Sequence, residues 1–112
     1  MSKLIQISNY QKQKSPPINF TRSELNQLLT LYSYRVISGE WKDYAINSDR
    51  GMSAFSVFKD AGALPAFTIY KFYKGHKSVK FAVGSNGSLI KQDQSLRGAI
   101  SFLQRRLTLV KS

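Results

Sequence analysis

Between Thr21 and Val110 the spacing of the apolar residues changes twice, and few folds accommodate such a change. Leu25, Leu28, Leu29, Tyr32, Val36 and Ile37 recur every three or four positions, with Arg22, Asn26, Gln27, Thr30 and Ser33 opposite them. That period lays one apolar stripe along a helix. After Trp41 the period drops to two, the repeat of a strand with one buried face. Tyr44 and Ile46, then Phe55 and Val57, then Val79, Phe81 and Val83 each fall on one side of such a strand. From Leu96 the helical period returns through Ile100, Leu103, Leu107 and Val110.

Local signals mark where each segment begins and ends. Thr21 with Glu24 three residues on is a reciprocal capping box, and Phe20 with Leu25 is the accompanying hydrophobic staple. Gly39 stands where a helix commonly ends in a left-handed residue. Turns are expected at residues 48–51, 60–65, 75–77 and 84–87, the last holding Asn86-Gly87, the type I′ hairpin pair. Asp93 or Ser95 can cap the second helix, where Gly98 costs about 1 kcal/mol relative to alanine. Short connections between strands call for an antiparallel meander. The expected fold is therefore α+β, with an antiparallel sheet of four or five strands. An N-terminal and a C-terminal helix cover one face, and the other face meets water or a partner. Residues 1–19, rich in Gln, Lys and Ser and ending at Pro16-Pro17, read as a flexible basic tail, with residues 20–112 as a single domain.

Charge narrows the choice of partner. The chain of 112 residues carries 17 Lys and Arg against 6 Asp and Glu, a formal net charge of +11. Seven bases face four acids in residues 1–56, whereas ten face two in residues 57–112, so +8 of the excess lies in the second half. Such a field attracts polyanions, with nucleic acid the leading candidate and an acidic protein the next. It also serves solubility alone. No apolar run approaches the roughly 20 residues of a membrane span, and no signal-peptide core is present. The expected setting is the cytoplasm, which the lack of cysteine fits.

The run Gly39–Ile46, GEWKDYAI, is more specific than composition. With Ala54–Lys59 (AFSVFK) and Phe20–Leu25 (FTRSEL), it resembles a small alphaproteobacterial family known only as domain-of-unknown-function family 2794. The likeness covers about residues 20–107. It implies a bacterial cytoplasmic protein and brings no reaction or ligand. Taken as residues alone, the run has two accounts. Trp41 plugs the corner where the chain enters the sheet, because large rings mostly serve burial. Alternatively, Glu40, Trp41 and Asp43 line a pocket for a base or a sugar.

Little in the sequence supports catalysis. Cysteine is absent, and the single histidine, His76, sits in a turn between lysines. A metal site would need partners that the chain does not supply as histidine or cysteine. Gly84–Ser88 lacks the lysine and the strand-to-helix setting of a phosphate-cradling loop. We therefore expect no enzyme, no cofactor and no metal.

The stretch Tyr70–Phe81, YKFYKGHKSVKF, holds four lysines, four aromatic rings and no acid. If Phe67, Ile69, Val79, Phe81 and Val83 face the core, Tyr70, Phe72, Lys74 and Lys80 share the open face, with Lys77 in the turn. Such a platform stacks unpaired bases while its lysines hold phosphates. The competing readings are an edge hairpin kept soluble by lysine and a protein-interaction or oligomerisation surface on that open face. The helix–strands–helix order is also similar to the double-stranded-RNA-binding domain. There a lysine cluster opens the second helix, whereas here that place offers only Arg97.

Overall fold

The computed structural model describes residues 16–60, 64–75 and 78–111, with side chains in the last helix described to Leu107. Helix α1 spans Arg22–Ile37, strands β1 to β5 span Asp43–Asp49, Met52–Phe58, Phe67–Lys74, Ser78–Ser85 and Ser88–Asp93, and helix α2 spans Leu96–Lys111. The strands form one antiparallel sheet in sequence order, β1-β2-β3-β4-β5, so the meander has five strands. A bulge between Val83 and Gly84 interrupts the pairing of β4 with β5.

Both helices pack on the same face. The core joins Leu28 and Leu31 of α1 to Leu96, Ala99, Leu103 and Leu107 of α2 over Phe55, Val57, Ile69, Phe81 and Val83 of the sheet. Helix α1 starts beside the end of β1, where Ile18 N–H donates to Asp49 O, and α2 starts where β5 ends. The two helices therefore run parallel, with their N-termini at one end of the sheet.

Thr21 and Glu24 exchange the two bonds of the capping box, Thr21 N–H to Glu24 Oε1 at 2.7 Å and Glu24 N–H to Thr21 Oγ1 at 3.1 Å. The buried stripe of α1 is rotated from the expected one. Leu31 is buried, whereas Val36 and Ile37 are exposed. Helix α1 covers the edge strand β1 only in part: its Tyr32 ring meets Tyr44 at 4.8 Å, while its last turn stays exposed. For the same reason Tyr44 and Ile46 point to the helix side yet stay 39% and 41% exposed.

The packed chain begins ahead of Phe20. Gly51 N–H donates to Pro16 O, Pro17 bridges to Arg50, and Ile18 is buried with Ser53 Oγ donating to its carbonyl. Backbone pairing to the β1–β2 turn thus ties down residues 16–19, which the sequence alone assigned to the tail. Residues 1–15 lie outside the described chain.

Gly98 has a clear reason. A Cβ there would lie 2.2 Å from Asp93 Oδ2. The same carboxylate accepts Ser95 N–H at 3.0 Å, while Ser95 Oγ accepts Gly98 N–H at 3.0 Å. The backbone bond from Ser95 is the largest influence holding the Asp93 carboxyl below its usual range; the Ser95 hydroxyl and the Lys91 charge add to it. A depressed carboxyl stabilises the fold above its unfolded pKa, and that contribution is lost as pH falls through the folded value. Asp93→Asn should therefore flatten the fall of Tm with acidification below about pH 4. Thermal melts followed by circular dichroism check this, and an unchanged acid slope would refute it.

Candidate functional site on the sheet face opposite the helices

Strand register fixes which side chains share the face opposite the helices. Tyr70 lies between Ala54 and Ala82, Phe72 between Met52 and Lys80, Thr68 between Ser56 and Gly84, and Lys74 opposite Ser78. Small residues at Ala54, Ser56, Ala82 and Gly84 keep the middle of this face low. The Ser56 and Thr68 hydroxyls bond to each other at 3.0 Å, so both are buried without an unpaired polar group.

Beside Tyr70 the low floor becomes a cleft of about 360 Å³, lined by Leu64, Pro65, Thr68, Tyr70 and the Gly84–Gly87 turn. The turn is built by Asn86 and Gly87, both at positive φ (55° and 79°), as a type I′ pair requires. Ser85 Oγ donates to Ala66 O at 3.2 Å and holds the two walls together. Among the described residues the lining carries no charged side chain. Tyr70 is half-buried, and burial raises its phenol pKa despite an opposing bond from Thr68. The ring therefore stays neutral throughout the physiological range.

The expected site residues fare differently. Tyr70, Lys74 and Lys80 do share the face opposite the helices, with Lys74 exposed and Lys80 half-buried. Phe72 is on that face but is buried at 6% exposure, flanked by Met52 and Lys80 on the neighbouring strands. It cannot serve as an exposed stacking ring, which corrects that expectation. Lys77 and His76 lie outside the described residues. On strands β2 to β5 this face carries no carboxylate; Asp43 and Asp49 stand at the far edge, on β1.

The alternative pocket around Glu40, Trp41 and Asp43 does not form. Trp41 is 1% exposed within the core. Glu40 turns back to α1, taking Arg35 Nη1–H at 2.8 Å and the Ser38 hydroxyl at 3.1 Å. Asp43 is exposed and accepts the N–H of Tyr44. Burial of the indole separates the three groups.

Sequence reasoning missed the cleft walls, Thr68 and the 84–87 turn. The signal was available in part: Thr68 and Tyr70 are two apart on one strand, and Asn86-Gly87 folds β5 back beside them. Reasoning also passed over Lys71. It stands on the helix side between Ser53 and Phe81, and its Nζ donates to Glu24 Oε1 at 2.6 Å and to Asn19 O at 2.9 Å.

A second groove of about 350 Å³ separates the helices, lined by Asn26, Thr30, Tyr34, Arg97, Ser101 and Gln104 among others. Among the described residues no group of three His, Cys, Asp or Glu could hold a metal, and no helix is long and apolar enough to cross a membrane.

Fold and face together define a small α+β domain whose five-stranded sheet carries both described helices on one face. Residues 18–100 match the family described as Protein of unknown function (DUF2794). The match takes in most of the chain, which therefore belongs to that family. No curated protein and no solved structure matches the chain.

Proposed function

We propose that this chain is a non-enzymatic binding module, set in an alphaproteobacterial cytoplasm, that takes single-stranded nucleic acid along the face of its sheet opposite the helices. One observation carries the reading. A cleft with no charged side chain among its described lining residues lies beside the Tyr70 ring, on the same face as Lys74 and Lys80, and the carboxylates of that face stand apart on β1. A base has a flat apolar surface and polar edges, which suits a cleft walled by Leu64, Pro65 and Tyr70 and edged by the Thr68 hydroxyl and the 84–87 backbone. Lys74 lies four residues along β3 from Tyr70, about 13 Å away, so a base held in the cleft leaves neighbouring phosphates near the two lysines.

Fluorescence anisotropy of labelled single-stranded RNA and DNA across a salt series tests this. Binding tighter than about 100 μM is expected at low salt, since even non-specific binding reaches that range. Lys74→Ala and Lys80→Ala should each flatten the salt slope by about 0.7, the value for one phosphate on a single strand. Tyr70→Ala should weaken binding about tenfold with the slope unchanged, the loss of one stacking contact. No salt-sensitive binding at low salt, or a Tyr70→Ala variant that binds like wild type, would remove the proposal. The other occupant considered for this face, an acidic protein segment, would leave the lysine effect and abolish the preference for bases.

A further inference from the structure

We infer that two copies of the chain pair through the outer edge of β1, antiparallel across a two-fold axis centred on Ala45. The inference is independent of the nucleic-acid reading. It starts from the unequal treatment of the two edges of the sheet.

Open sheet edges invite pairing, and proteins blunt them with lysine, proline, bulges or covering elements. Strand β5 is blunted: a bulge breaks its register with β4, Lys91 lies 5.9 Å from the Phe102 ring, and α2 packs on both β4 and β5. Among the described residues strand β1 has no such bulge, lysine or proline; the Asp43 carboxylate, which takes the Tyr44 N–H at 2.8 Å, must give way to a partner strand. The seven residues of β1 run in unbroken register with β2 and are exposed at every position except Ala45. Among the described residues no strand pairs with its outer edge.

The side chains along this edge favour a strand over water. Tyr44 is 39% and Ile46 41% exposed on the helix side, and Val36, one turn after Tyr32, is 40% exposed. Tyr44 packs edge-on to Tyr32 at 4.8 Å and stacks on Phe55 at 5.5 Å, so its position is fixed before any partner arrives.

Charge selects a second copy as that strand. The chain is +11 overall, yet β1 itself holds Asp43 and Asp49 and no base. Two strongly basic molecules meet with least repulsion along their most acidic segment. Register then follows from the carboxylates. Centring on Ile46 would set Asp43 against Asp49 of the other copy on one face. Centring on Ala45 sets Asp43 against Asn47 and pairs Tyr44 with Ile46 twice, the aromatic and β-branched combination that stabilises antiparallel strands. The product is a closed, isologous dimer with a ten-stranded sheet, whose face opposite the helices continues across the axis.

Sedimentation equilibrium from low micromolar to millimolar concentration reads the pairing. The apparent mass should rise from 12.7 kDa towards twice that value. Ile46→Lys should weaken dimerisation at least tenfold while leaving the melting curve unchanged at low micromolar concentration, where the chain is monomeric, because the side chain is already half-exposed. The chain has no cysteine, so single introduced thiols report the register. Ala45→Cys should oxidise to a disulfide dimer, since directly opposed residues lie within bridging distance. Asn47→Cys should not. A monomer mass at every concentration would overturn the inference, as would equal cross-linking of the two thiol variants. Cross-linking at Ile46→Cys in preference to Ala45→Cys would overturn the register. Nucleic-acid affinity is not read in these measurements, so failure here leaves the proposed function standing, and the reverse also holds.

Discussion

Glu24→Gln is expected to destabilise the fold by about 3 kcal/mol, and adding Lys71→Met should restore most of that loss. Lys71 is a charged side chain on the packed face of the sheet, with only 7% of the residue exposed. Its ammonium has two acceptors, Glu24 Oε1 and Asn19 O. Burying a charge is tolerated when it is paired and hydrogen-bonded, and becomes expensive when one partner is removed. Glutamine preserves the shape of Glu24 and an oxygen for Thr21 N–H, since glutamine also closes capping boxes. The variant therefore isolates the charge from the cap. Lys71→Met alone should cost less, because the Glu24 side chain is 17% exposed and water can reach it. In the double variant the buried charge is gone, and methionine fills the lysine stem's place between Ser53 and Phe81. Urea denaturation followed by circular dichroism gives the four corners of the cycle. A Glu24→Gln variant within about 0.5 kcal/mol of wild type would show the pair to be worth no more than a surface ion pair. A double variant as unstable as Glu24→Gln would show that charge compensation is not its role.

Lys71 also marks the boundary between what periodicity reveals and what it conceals. Its parity with Phe67 and Ile69 is plain in the sequence, and places it under the helices. A polar residue at a core position can be read only with its partner, and Glu24 is 47 residues away. The capping box is local, so it was legible: Thr21 and Glu24 were readable as a helix start, though the lysine they hold was not. The element order, the meander and the two helices on one face were legible because each rests on short-range spacing and turn chemistry. The rotation of the α1 stripe was not. Which residues of an amphipathic helix are buried depends on how far the sheet extends beneath it, and β1 is covered only in part, at Tyr44. The same applies to the candidate site. Register sets Tyr70, Phe72, Lys74 and Lys80 on one face, and strand alternation gives that directly. Whether a ring on that face is open is not set by alternation, and Phe72, beside Met52 and Lys80, is only 6% exposed. The cleft depends on a loop at residues 64–65 meeting a turn at residues 84–87, contacts that no pattern within one strand encodes.

Trp41→Ala should cost about 4 kcal/mol, in the range for deleting a large buried ring. That is a large fraction of the 5–15 kcal/mol by which a domain is usually stable. The indole stacks on Tyr32 at a centroid distance of 6.4 Å and packs with Leu31, Phe55, Val57, Ile69 and Leu103. The gap these side chains leave has no room for a water molecule, so a cavity opened there stays dry and is not refilled. Trp41 lies where the chain leaves α1 and enters β1, so its loss loosens both elements at once. Trp41→Phe should cost much less. It keeps an aromatic ring in the site and removes an Nε1 donor that has no acceptor among the described residues, offsetting part of the lost volume. Unfolding in urea, followed by circular dichroism so that the variants share a signal with wild type, separates the two. The wild-type emission supplies an independent reading: the only tryptophan of the chain should fluoresce in the blue and resist aqueous quenchers. A red-shifted, quenchable emission, or a Trp41→Ala variant within about 1 kcal/mol of wild type, would put the ring at the surface and return Glu40, Trp41 and Asp43 to consideration as a ligand site. The folded Trp41→Phe variant should meanwhile bind single strands as the wild type does, since the indole lies beneath the sheet face opposite Tyr70.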